Sequence, residues 1–162
     1  MSACSCAQVV RRTTYEVPKM GASIVAYWPG ITERQLATQP GFFNDDRAWG
    51  NWIAERDGDV AVTDAIRKLQ ADAILTFKTD GWEDEDVTWV SPRELRDAAA
   101  RLRDAVRAGA AEARVILVSY ERNANRIDPV PEEFIRDLDD IDAITRWAEA
   151  EGATKMTLEV NW

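Results

Sequence analysis

The sequence predicts an α+β fold: a mainly antiparallel sheet of about four strands, with helices packed on one of its faces in a two-layer arrangement. Apolar residues recur at helical spacing through long stretches of the 162-residue chain, which indicates amphipathic helices. The closing stretch TKMTLEVNW instead alternates apolar and polar residues, which is typical of a strand with one solvated face. These patterns give roughly five or six helices, and the strand candidates are residues 23–28, 74–79, 86–90 and 155–162.

A single folded domain is predicted over residues 20–162, after a disordered leader at residues 1–19. The leader is rich in small residues and contains a basic pair, Arg11 and Arg12, followed by Pro18. The remaining length suffices for one sizeable core and is short for two. The leader holds three basic residues and one acidic residue, so the net negative charge of the chain belongs to the folded part.

Three shorter helices are expected in the first half of the domain. Residues 32–38 form a polar helix candidate that Thr32 can cap. Residues 45–55 and 60–71 carry apolar side chains at helical spacing, and such stripes face a core.

The second half of the domain shows stronger helix signals. Ser91 followed by Pro92 and Glu94 is a capping box, which predicts a helix that runs to a glycine at position 109. A long amphipathic helix is expected over residues 131–151. Residues 114–121 fit either a buried strand or a helix, and we favour a helix because helix-compatible residues precede them and asparagines follow.

Charge and composition exclude several functions. The chain has 29 acidic and 20 basic residues, net −9, so its averaged field repels nucleic acids and anionic membrane surfaces. It contains no histidine, which removes Ser-His-Asp and Cys-His catalysis and histidine-ligated zinc. No glycine-rich phosphate loop or apolar membrane span is present, and we expect a cytoplasmic location. The chain has sixteen arginines and four lysines, a ratio typical of GC-rich codon usage, and we therefore expect a bacterial source.

The stretch DGWEDEDVTW, residues 80–89, holds five carboxylates and two tryptophans without a basic residue. One interpretation is a hairpin with a solvated acidic bend, in which Trp89 packs in the core. The other is a binding surface for a basic protein, because an exposed tryptophan supplies buried area and carboxylates speed encounter. An EF-hand calcium loop does not fit, since the required ligand pattern is missing. The candidate partner-binding residues here are Trp82, Glu83, Asp84, Glu85 and Asp86.

A second candidate surface lies on the helix predicted over residues 45–55. Asp45, Asp46 and Trp49 combine acidic and aromatic side chains in the same way, although Trp49 also has the helical spacing expected of a core residue.

We therefore expect a small acidic module that binds another, basic, protein; charge and size alone suggest neutralisation of that partner, as antitoxin and immunity proteins do. The alternative is an enzyme that uses carboxylates, with or without a divalent metal, where Glu159, Thr157 and Asn161 on the polar side of the last strand are the residues of interest. A regulatory or assembly subunit is the third possibility. The sequence assigns no catalytic residue, metal ligand or cofactor.

Overall fold

The structure is a computed structural model that describes residues 23–40, 48–55, 59–79, 82–126 and 128–161. The predicted leader, residues 1–19, lies outside this part of the chain. The elements in chain order are β1 (Ser23–Tyr27), α1 (Glu33–Thr38), α2 (Trp49–Glu55), α3 (Val60–Lys68), β2 (Phe77–Thr79), α4 (Pro92–Ala108), α5 (Ala111–Glu121), α6 (Val130–Ala150) and β3 (Thr157–Asn161), with short 3₁₀ turns at Asp72–Leu75 and Asp84–Asp86.

The α+β class is confirmed, but the sheet differs from the prediction. Within the described ranges it has three strands in the order β1-β3-β2 and is mixed. The C-terminal strand β3 lies in the centre, antiparallel to β1, where Tyr27 is opposite Thr157, and parallel to β2, where Lys78 is opposite Glu159. The predicted four-stranded, mainly antiparallel sheet is therefore not confirmed, and the two-layer arrangement stays a prediction.

Two of the four strand candidates account for this difference. The 3₁₀ turn at Asp72–Leu75 occupies the start of residues 74–79, so that only Phe77–Thr79 forms a strand. Within residues 86–90, a single bridge joins Val90 to Met156. In place of the expected hairpin, the described residues show β2 paired in parallel with β3, and α4, α5 and α6 lie between these two strands in the sequence.

The helix predictions are largely confirmed, and local interactions explain why. At the start of α4 the Ser91 hydroxyl accepts a 3.1 Å hydrogen bond from the Glu94 amide, and the Glu94 carboxylate accepts a 2.7 Å bond from the Ser91 amide. The helix ends at Gly109, whose φ of 65° is a conformation that glycine adopts without strain.

Residues 114–121 are helical, as we favoured, within α5. One side of this helix is buried through Ala113, Ile116 and Tyr120. The β-branched residues Val115 and Val118, which made the segment resemble a strand, are exposed instead.

A single hydrophobic cluster joins one face of the sheet to the helices, with Ile24, Ala26, Leu158 and Val160 contributed by the strands. Its densest aromatic part consists of Trp49, Trp52, Tyr120 and Phe134, whose neighbouring rings are 4.9–5.9 Å apart between centroids. Rings at these separations contribute both buried area and favourable edge-to-face contacts. No described helix is both long enough and apolar enough to cross a bilayer: α6 has 21 residues, but too many of them are charged.

Candidate functional site: the acidic turn and the polar face of the sheet

The acidic turn, residues 82–86, leads from strand β2 toward the Val90 bridge. The Asp86 amide donates a 3.0 Å hydrogen bond to the Glu83 carbonyl, and the Asp86 carboxylate accepts a 3.0 Å bond from the Glu83 amide. These reciprocal bonds close a 3₁₀ turn in the way that a capping box closes the start of a helix. All four carboxylates of the turn are exposed.

Trp82 stands at the start of this turn with one face of its ring covered. Its indole is stacked on Phe77, with centroids 6.0 Å apart and ring planes inclined by 21°. Phe77 is half-buried and packs against the core. Trp82 as a residue is 39% exposed, so it is accessible, as the sequence predicted, while one face of its ring packs on Phe77.

The turn is connected to the polar face of the sheet through Tyr27. The Tyr27 hydroxyl donates a 3.0 Å hydrogen bond to the Asp84 carboxylate. The Lys78 ammonium lies 5.1 Å from the centre of the Tyr27 ring and 3.9 Å from the Glu159 carboxylate. Burial raises the pKa of Tyr27, as do the hydrogen bond to Asp84 and the negative charges of Asp84, Glu159 and Glu83.

Trp89 extends this polar face away from the turn. Its ring lies 5.9 Å from that of Tyr27, and the Lys155 ammonium lies 5.3 Å from its centre, a cation–π contact. Trp89 is half-buried, so the expectation that it packs in the core beneath the helices is wrong. Its contacts with Tyr27 and Lys155 place it on the polar side of the sheet.

The second predicted surface is not supported at Trp49. This side chain is 1% exposed and packs against Trp52 and Phe134, so its assignment as a partner-binding residue is wrong. Helical spacing of aromatic residues reflected burial here, which is its usual meaning. Asp45 and Asp46 lie outside the described residues.

Two fully buried carboxylates on α6, Glu133 and Asp137, escaped the sequence reasoning. Both Glu133 oxygens accept backbone hydrogen bonds, from the Asn125 amide at 2.8 Å and the Arg126 amide at 3.1 Å. Asp137 accepts a hydrogen bond from the Tyr120 hydroxyl. The two acids are four residues apart and therefore lie on the same side of α6, beside its apolar stripe; this spacing was the sequence signal for their burial.

These contacts give the buried carboxylates structural roles. Glu133 holds the connection between α5 and α6 by satisfying amides that would otherwise be unpaired. The pKa of Tyr120 is raised well above its ordinary value, first by burial and then by the charge and hydrogen bond of Asp137 and the charge of Glu133.

The alternative carboxylate site on β3 offers few side chains that could act in catalysis. Glu159 is 3.9 Å from the Lys78 ammonium, and Thr157 is buried. The side chain of Asn161 lies outside the described part of the chain. Among the residues that the structure describes, no three or more acidic, cysteine or histidine side chains converge to hold a metal ion.

The geometry thus favours the acidic turn, with Trp82 and its exposed carboxylates, as the candidate functional site. Comparison with known proteins gives no matching family model, no matching curated protein and no matching solved structure.

Proposed function

We propose that this chain is a protein-binding module whose acidic turn docks on a basic partner protein. The observation that carries the proposal is the position of Trp82, 39% exposed, fixed against Phe77 and followed directly by four exposed carboxylates. Tryptophan is enriched among residues that dominate binding energy, because it buries a large area with few rotatable bonds.

The rigidity of the turn supports this role. Association has an entropic cost for every side chain and loop that becomes ordered in the complex. The turn is already ordered by its reciprocal Glu83–Asp86 hydrogen bonds, by the Tyr27–Asp84 bond and by the Phe77–Trp82 stacking. A partner would therefore meet a surface close to its bound conformation.

The charge of the chain supports a basic partner in particular. With a net charge of −9, the whole molecule adds to the field of the turn and attracts cations over distances near the Debye length. Such steering raises the association rate more than it lowers the dissociation rate. We place this interaction in the cytoplasm, as expected from the sequence, with neutralisation of the partner as its simplest purpose.

The test begins with capture of a partner from native lysate and continues with the purified pair by surface plasmon resonance. Trp82→Ala should weaken binding about thirtyfold, the loss typical of a hot-spot residue, mainly by faster dissociation. Glu85→Arg should slow association, and raised salt should reduce the difference from the wild type.

Asp104→Arg is the matched control, because Asp104 is an exposed acid on α4, outside the proposed surface. It changes the net charge by the same amount as Glu85→Arg, so it should slow association less. Equal effects of the two reversals, or full binding by Trp82→Ala, would show that the acidic turn is not the docking surface.

A further inference from the structure

Helices α3 and α5 form a shallow apolar groove on another part of the molecule. Two cavities of about 310 and 380 Å³ lie along their seam and share Ala61 and Val115 in their walls. The first ends near Lys68 and Ala111, and the second ends near Asp59 and Arg122, so the two helices run antiparallel along one continuous groove. We call this surface the α3–α5 face.

Large apolar side chains are concentrated there without cover. Val118 and Val115 in the groove wall are 61% and 41% exposed, and Val60, which lines neither cavity but precedes the wall residue Ala61 in sequence, is 70% exposed. Only Leu36 and Trp82 are comparable among the described residues, and both lie elsewhere. Exposed aliphatic clusters of this kind mark interaction surfaces.

The charged side chains beside the two valines of α5 also form no ion pair within the part of the chain that the structure describes. The side chains of Glu112, Arg114, Glu121 and Arg122 have no ion pair with any residue in the described ranges. With Asp59, Asp64 and Lys68 from the α3 side of the groove included, the face has four acids and three bases and is close to neutral, although the chain as a whole is strongly acidic. A second copy can therefore approach this face without the repulsion that it would meet at the acidic turn.

We infer that the α3–α5 face is an isologous dimer interface, in which α5 of one copy packs antiparallel to α5 of a second copy. Two-fold dimers are the commonest assemblies of soluble proteins, and they require a patch that complements itself. Antiparallel pairing centred between Val115 and Val118 places each valine opposite the other valine of the second copy. The valines then form the apolar centre of the contact.

The order of charged residues along α5 is also complementary when the antiparallel pairing is centred between Val115 and Val118. At about 100° per residue, Glu112 lies on one flank of the valines, Arg114 and Glu121 lie on the other flank, and Arg122 is near the midline. A two-fold axis perpendicular to the two paired α5 helices places the same flank of each helix on the same side of the pair, while the two sequences run in opposite directions. Arg114 of each copy then lies beside Glu121 of the other copy, and Arg122 beside Glu112 of the other copy.

The experiment uses two single variants of the full chain, Arg114→Glu and Glu121→Arg. Both place charges that agree with the helix dipole, an acid toward the N-terminus and a base at the C-terminus, so α5 is expected to stay folded. Circular dichroism verifies this. Each homodimer would oppose like charges at two symmetric positions, and we expect its dissociation constant to rise about a hundredfold.

An equimolar mixture of the two variants provides the decisive measurement. In the mixed dimer every contact pairs an acid with a base, so dimers should return when two monomeric variants are combined. Sedimentation velocity measures the mass of each sample, and the wild type should show a monomer–dimer equilibrium below about 1 mM, the limit of a very weak complex.

Each other result overturns the inference. A wild type that remains monomeric up to about 1 mM would leave the face to another occupant, such as an amphipathic helix of a different protein. Variants that dimerise as well as the wild type would place the interface elsewhere. Failure of the mixture to dimerise would contradict the antiparallel pairing of α5.

Discussion

The hydroxyl of Tyr27 donates a 3.0 Å hydrogen bond to Asp84, a residue 57 positions further along the chain. This bond ties strand β1, at one edge of the sheet, to the acidic turn beyond the opposite edge strand, β2. It spans the polar face over the central strand. The ordering of the proposed docking surface thus depends in part on a tyrosine from the first strand.

Tyr27→Phe should loosen the acidic turn while leaving the rest of the fold in place. Removal of one partly exposed hydrogen bond costs about 0.5–1.5 kcal/mol. Amide hydrogen exchange should therefore accelerate about two- to tenfold at Asp86 and Val87, whose amides donate within the turn. The Leu95 amide in α4 is the internal control, and equal acceleration there would indicate a global effect instead.

Alkaline pH should destabilise the protein through Tyr120. Its folded pKa is raised above the unfolded value near 10, so above that pH the native state holds a proton that the unfolded state releases. Stability is therefore complete below about pH 10 and falls above it by about 1.4 kcal/mol per pH unit for this group.

Urea denaturation of the wild type and of Tyr120→Phe between about pH 9 and pH 12 measures this slope. The free energy of unfolding should fall more steeply with pH for the wild type than for the variant, and the difference in slope is the contribution of Tyr120. Comparison with the variant removes the contribution of Tyr27, which both proteins share. Parallel curves would mean that Tyr120 ionises equally well in the folded state.

Two tryptophan substitutions should differ strongly in their effect on folding. Trp52 is 1% exposed and its indole N–H donates a 3.0 Å bond to the Ser119 hydroxyl, so Trp52→Ala should cost about 3–5 kcal/mol. Trp82→Ala removes mainly one aromatic contact and should cost about 0.5–1.5 kcal/mol. Chemical denaturation followed by circular dichroism measures both, and similar losses would mean that Trp82 is part of the core.

Glu133→Ala should release the connection between α5 and α6. It leaves the amides of Asn125 and Arg126 without their acceptor, which we expect to cost about 1.5–3 kcal/mol because the acceptor is charged. Glu132→Ala is the neighbouring control: Glu132 is exposed in the same helical turn, and its loss should cost less than about 1 kcal/mol. Urea denaturation compares the two, and equal losses would indicate a helix-dipole effect alone.

Much of the helical structure could be predicted from short stretches of sequence. The Ser91–Glu94 capping box and the apolar stripe of α6 both appear as expected, because the groups that interact lie within three or four residues of each other. The candidate site was partly predictable for the same reason. The run of carboxylates after Trp82 forms its own exposed turn.

The partners of the strands could not be obtained in this way. Alternation in residues 155–162 shows that one face is buried, but it does not say which segments supply the neighbouring hydrogen bonds. Those groups come from β1 and β2, more than 75 residues away in each case. The mixed sheet follows from that distant pairing.

Accessibility likewise depended on distant contacts. Trp49 and Trp82 are both tryptophans close to acidic residues in the sequence, yet one is enclosed by Phe134 and Trp52 and the other rests on Phe77 with an open face. Composition and local spacing account for the α+β class, the helices and their caps, since these depend on neighbours along the chain. The neighbours of each strand, the buried Glu133 and Asp137, and the choice of exposed tryptophan were settled by packing between remote segments, where most of the buried area arises.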